Sequence, residues 1–202
     1  MQRMVDGLDI EIDSFPDETA QLPPEYLTFA PDRVKAPFDV IVDTREQIPY
    51  TFHEIPIDNS EKYYGVSILR RGLTLGDYSV AGLETRLCIE RKSLEDLYSS
   101  IGRRDNFENR LTRMQGYDYS CVVVEASQET LLSRKPHYLK QTRSKLTPRM
   151  VFRTIQAWTM DYPRTHWWFM DERQQAEIMT FRLMARFHRK NKHLIDTGLR
   201  KL

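Results

Sequence analysis

The chain has 202 residues, of which 40% are apolar and 29% charged, and its net charge is +1. That length suits one domain with a sizeable core, and the overall charge points to no class of partner. Cys88 and Cys121 lie in apolar, strand-like runs with no CxxC partner and no His at zinc-finger spacing. Neither a disulfide framework nor a zinc-finger motif is indicated, and both read as buried reduced thiols. No apolar run reaches the ~18 residues of a membrane span. The start, MQRMVDGLDIEIDSF, lacks the apolar core of a signal peptide. An intracellular protein with no membrane contact is expected.

In chain order, residues 1–36 read as an arm. They hold eight acidic residues against three basic ones, a net of −5 that leaves +6 on the remainder. Pro16, Pro23, Pro24 and Pro31 interrupt any helix there. The folded domain is expected over 37–202, opening with a buried strand in FDVIVDTRE (38–46). HEIPIDNSEKYYG reads as a loop or insertion. SILRRGLTLGDYSV and LETRLCIERKS read as two more strands. SLEDLYSSI opens a helix with Ser93 as N-cap and Leu94, Leu97, Tyr98 and Ile101 as its apolar stripe. The stripe changes phase at Phe107, Leu111 and Met114, which predicts a break at 102–106 and a second helix capped by Asp105 or Asn106. YSCVVVEAS (119–127) is a buried strand. A helix follows from Thr147 with Pro148 in its first turn, then a short strand in THWWFMD and a final helix from about 172 to 193. Strands and helices in this order predict an α/β fold with a mixed sheet.

One stretch carries chemistry: GDYSVAGLETRLCIERK (76–92). If it is a hairpin turning at Gly82, Asp77 stands opposite Glu90, with Cβ atoms about 5 Å apart. Alternation then puts Cys88, Glu90 and Lys92 on one face, with Ile89 and Arg91 on the other. Two carboxylates so close repel unless a positive charge lies between them. A hard divalent cation, Mg²⁺ or Mn²⁺, suits such oxygen ligands, and the adjacent lysine would orient or deprotonate an attacking water. These are parts for metal-assisted hydrolysis of a phosphodiester. A salt-bridged hairpin with no chemistry fits the same spacing.

The stretch resembles the PD-(D/E)xK nuclease superfamily, and its wording resembles the XPF-type structure-specific nucleases, whose signature is GDx(n)ERKx3D. Gly76, Asp77, Glu90, Arg91, Lys92 and Asp96 match it, and Asp43, Arg45 and Glu46 match an upstream DxRE. The resemblance spans about residues 38–170. It implies a restriction-endonuclease-like fold, a mixed β-sheet flanked by helices. It implies Asp77 and Glu90 as metal ligands, Asp43 as the acid that completes or supports them, and Lys92 as the catalytic lysine. Arg45, Glu46, Arg91 and Asp96 fall on supporting positions, although Asp96 reads equally as a helix-capping acid. The segment after residue 171 reads as one helix, not as the tandem helix-hairpin-helix module of many relatives.

Between residues 130 and 160 there is no Asp or Glu, whereas Arg134, Lys135, Lys140, Arg143, Lys145, Arg149 and Arg153 are all basic. With Arg103, Arg104, Arg110 and Arg113 this suits phosphate contact, salt-sensitive and indifferent to sequence. A solvated basic face is the plainer alternative. Trp158, Trp167 and Trp168 sit in apolar runs and read as core. The expectation is a Mg²⁺- or Mn²⁺-dependent DNA endonuclease acting at branched or forked DNA. The rivals are a less selective nuclease for single strands or ends, and a catalytically silent DNA-binding scaffold. DNA is the expected partner, branched, duplex or single-stranded, with a homodimer or partner subunit as a further possibility. The setting would be cytoplasmic in a bacterium or phage and nuclear in a eukaryote.

Overall fold

A computed structural model describes residues 32–133 and 145–198. Six strands form the main sheet: β2 (Val40–Val42), β5 (Ile68–Arg70), β6 (Tyr78–Val80), β7 (Leu87–Lys92), β8 (Tyr119–Val124) and β9 (Thr165–Phe169). Their order is β5-β2-β6-β7-β8-β9. β6 runs antiparallel to both neighbours, and the β2–β5, β7–β8 and β8–β9 pairs are parallel. A smaller sheet joins β1 (Arg33–Lys35), β4 (Tyr63–Gly65) and β3 (Ile55–Pro56) in that spatial order. The helices are α1 (Leu94–Gly102), α2 (Arg104–Met114), α3 (Gln128–Ser133), α4 (Pro148–Asp161) and α5 (Arg173–Gly198).

The central strands are buried on both faces, which is why they read as continuous apolar runs. One core holds Val40, Val42, Tyr78, Val80, Ile89, Cys121 and Val123 under Ala176, Phe181 and Met184 of α5. The other holds Cys88, Val122 and Val124 under Leu97, Tyr98, Phe107, Leu111, Ile155 and Trp158 of α1, α2 and α4. The period of two along β7 therefore sends Glu90 toward α2 and Arg91 toward α5. Both cysteines are free and buried, and Trp158 is fully enclosed. The apolar face of α5 fills the core of this chain.

Several expectations change. HEIPIDNSEKYYG is not a loop, because β3 and β4 pair antiparallel within it. β4 also takes β1 as a parallel partner, with Arg33 beside Tyr63 and Lys35 beside Gly65, so a strand lies in residues assigned to the arm. These strands have two or three residues each, too short for a period to register. SILRRGLTLGDYSV gives two strands, β5 and β6, which flank β2 on opposite sides. The helix break is tighter than predicted: only Arg103 is non-helical, and it caps α2 without a side-chain hydrogen bond. The six-residue α3 was not foreseen. Thr147 does cap α4, accepting the Met150 N–H at 3.3 Å ahead of Pro148. Residues 1–31 of the arm lie outside the described residues. No helix among the described residues is long and apolar enough to cross a membrane.

Candidate active site

The hairpin takes the anticipated register at its centre, with Tyr78 opposite Ile89. One residue back the ladder is irregular: the Asp77 N–H donates to the Ile89 carbonyl at 2.8 Å. Gly76 makes this possible. Its φ is +81°, and a Cβ there would lie 2.7 Å from Cys88 Sγ and 3.0 Å from the Ile89 carbonyl oxygen. Only glycine fits both the conformation and the space, which gives the Gly-Asp pair a structural reason. The turn itself uses Gly82, also at positive φ.

Asp77 Oδ2 accepts the Arg91 N–H at 2.7 Å, so the carboxylate is fastened to the backbone of β7 between Glu90 and Lys92. Glu90 is 1% exposed. Its Oε1 lies 2.8 Å from Lys92 Nζ and its Oε2 lies 2.5 Å from Nη2 of Arg110 on α2. The Lys92 ammonium also stands 5.1 Å from the centroid of the Phe107 ring. Burial, and then the neighbouring charge of Glu90, pushes the Asp77 pKa up to about 7.

Asp43 immediately follows β2, and its N–H donates to the Asp77 carbonyl at 2.9 Å. Its Oδ1 accepts from the Arg45 N–H (2.8 Å) and Nε (2.7 Å), and its Oδ2 from Arg45 Nη2 (3.0 Å) and the Leu73 N–H (2.6 Å). Burial would raise its pKa, but these donors hold it below the usual carboxylate range. With these four donors Asp43 braces the 71–76 loop. The Arg45 guanidinium is stabilised chiefly by Asp43, and also by the charges of Asp77 and Glu90.

Arg91 and Glu46 occupy the other face. Arg91 grips Glu125 through two hydrogen bonds of 2.7 and 3.1 Å and reaches Glu46 at 3.3 Å. Arg173 of α5 binds the same Glu125 at 2.9 Å and the Ile48 and Pro49 carbonyls at 2.7 and 2.8 Å. This network ties the segment after β2 to the backs of β7 and β8 and holds Arg91 on the face of β7 opposite Glu90. Asp96 forms a capping pair with Ser93: its N–H donates to Ser93 Oγ at 3.1 Å, and its carboxylate accepts the Ser93 hydroxyl at 2.8 Å. The local capping role therefore accounts for it.

Of the anticipated DNA contacts, Arg103 binds Ser99 Oγ at 2.7 Å. Arg104 pairs with Glu108 at 2.6 Å and lies over the Trp158 ring. Lys145 and Arg149 are exposed around the start of α4, whereas Lys140 and Arg143 lie outside the described residues. Sequence reasoning did not identify Glu125 and Arg173, nor the contact of Arg110 with Glu90. Two signals were available. An inward-facing Arg91 needs a buried carboxylate partner, and Arg110 falls three residues after Phe107, on the helix face turned to the sheet.

Among the described residues, no group of three or more His, Cys, Asp and Glu side chains could by itself hold a metal ion. Asp77 and Glu90 nevertheless fit a hard divalent cation. They are two mutually repelling oxygen donors, and the charge they call for is now provided by Lys92 and Arg110.

The ERCC4 domain model matches residues 42–183 of this chain. The DNA repair endonuclease XPF of Drosophila melanogaster is 23% identical over 138 residues, which are 67% of this chain and 13% of that protein. XPF from Aeropyrum pernix superposes with a TM-score of 0.51 at 20% identity, covering 74% of this chain and 60% of that one. In its complex with DNA the values are 0.52 and 20%, covering 76% and 66%. The chain thus spans only a small part of the curated relative. With 142 consecutive positions matched and the same mixed, helix-flanked sheet, the chain belongs to the ERCC4 domain family and has the restriction-endonuclease-like fold of XPF-type nuclease domains.

Proposed function

We propose that this chain hydrolyses DNA phosphodiester bonds with the help of a divalent cation, Mg²⁺ or Mn²⁺, held by Asp77 and Glu90. The observation that carries the reading is the meeting of Asp77, Glu90 and Lys92 at one end of β6 and β7, within a chain of the ERCC4 domain family. The cation, when bound, would supply Lewis-acid stabilisation of the charge that develops on the phosphoryl oxygens. Lys92, anchored by Glu90 and the Phe107 ring, holds the attacking water. Water oxygen bonds to phosphorus as the P–O3′ bond breaks. The water gives one proton to solvent and O3′ takes one from solvent, giving 5′-phosphate and 3′-hydroxyl ends. Asp43, Arg45 and the Leu73 backbone fix the loop that delivers Asp77. Arg91, Glu46 and Glu125 fix β7 from behind.

DNA contact draws on the basic surface of α2 and the start of α4, and XPF from Aeropyrum pernix has been captured with DNA. Branched or forked DNA is the proposed substrate. Comparing cleavage rates on labelled forks, flaps, plain duplex and single strands tests this. Preference for a junction supports it, and equal cutting of single strands or free ends replaces it with the less selective nuclease. The pairing of Glu90 with both Lys92 and Arg110 is the observation that favours a silent scaffold, which would bind all these DNAs and cut none.

A further inference from the structure

Arg110 has no part in the steps above, yet it makes the shortest polar contact in the site. Its Nη2 reaches Glu90 Oε2 at 2.5 Å while Lys92 takes Oε1, so one buried carboxylate is shared by two cations. Its Nε–H is buried and has no hydrogen-bond partner, although the side chain as a whole is 39% exposed. A buried guanidinium donor without an acceptor is costly. Nε and an Nη of one guanidinium form a fork that matches two oxygens of a phosphate. Here only one prong of that fork is used. Arg113, one helical turn on, holds the Thr74 carbonyl at 3.1 Å, so α2 contacts both the Glu90 strand and the loop that delivers Asp77.

We infer that Arg110 is a positioning residue that exchanges partners: it is the resident counter-cation of Glu90 in the free protein, and it passes to a backbone phosphate of DNA when a divalent cation takes that carboxylate. The inference rests on Asp77 and Glu90 being the cation ligands. With Lys92 and Arg110 both beside Glu90, an entering divalent ion meets two positive charges and binds weakly. A DNA phosphate that draws Arg110 away removes one of them. Cation and DNA then each raise the affinity for the other, as linkage requires.

The test is Mn²⁺ binding to the whole chain without DNA, followed by the electron paramagnetic resonance signal of free Mn²⁺. Arg110→Met is expected to bind Mn²⁺ about tenfold more tightly than the wild type, the scale of removing one nearby charge. Arg110→Lys, which keeps the charge, should stay near the wild type. In fluorescence anisotropy with Ca²⁺ as a cation that does not support cutting, the wild type should gain DNA affinity and Arg110→Met should not. If the wild type binds Mn²⁺ and Glu90→Gln abolishes it, but Arg110→Met binds no more tightly, the exchange is overturned and the cation site stands. If neither wild type nor Arg110→Met binds Mn²⁺, both fall together. Should Arg110→Met lose its cooperative melting transition, Arg110→Gln provides the same comparison.

Discussion

Gly76 and Asp77 form one device. Left-handed backbone at Gly76 turns the chain so that the next carboxylate can reach the Arg91 N–H. Gly76→Ala puts a methyl group against Cys88 Sγ and the Ile89 carbonyl in a conformation alanine resists. It should cost more than about 1 kcal/mol in urea unfolding and displace Asp77. Asp77 has its own pH signature. Its pKa in the folded protein is about 7, raised by burial and then by Glu90, against 3.8 for the unperturbed acid. Between those values the folded state binds the extra proton, so this group's contribution to stability is present below pH 4 and is lost as pH rises toward 7. Without added metal, the melting temperature of Asp77→Asn should gain on that of the wild type from pH 4 to pH 7 and level off above. A difference that is flat across this range would contradict the geometry.

At the scale of elements, β7 is the axis of the site because its two faces carry different work. Glu90 and Lys92 face α2, and Arg91 faces α5. The rear network is a buried pair with a second arginine, so Glu125→Ala removes the carboxylate that Arg91 and Arg173 share and leaves the half-buried Arg91 only Glu46 at 3.3 Å. A loss of about 3 kcal/mol is expected, measured by urea unfolding. The core of this arrangement was legible beforehand. The Gly-Asp and Glu-Arg-Lys spacing, with alternation along a strand, gave the hairpin centre and the facing of Glu90 and Lys92. The phase change after Ile101 gave the α1–α2 break, and Thr147-Pro148 gave the start of α4. The rest depends on partners distant in sequence. Pairing of Glu125 with Arg91, or of Arg110 with Glu90, is settled by how α2, α5 and β8 pack, and no local period encodes that. The strands β1, β3 and β4 were missed for a different reason: so few residues show no alternation, and Pro56 in β3 argues against a strand.

At the scale of the molecule, the proposed contact with DNA requires a polyanion to approach a site that is itself acidic. Arg103 and Arg104 join α1 to α2, and Lys145 and Arg149 lie around the start of α4, all exposed. DNA affinity should fall steeply and linearly with salt on a double-logarithmic plot. Neutralising Lys145 and Arg149 together should reduce that slope by about two if both touch phosphates. The most direct test of the whole account is single-turnover cleavage of labelled forked DNA by wild type and Glu90→Gln, with Mg²⁺ or Mn²⁺ and with EDTA. Cutting by the wild type only with the cation, and a loss of at least about a hundredfold in Glu90→Gln, is the expected result. Cutting that survives EDTA or the loss of Glu90, or DNA bound but left intact by the wild type with either cation, would contradict it.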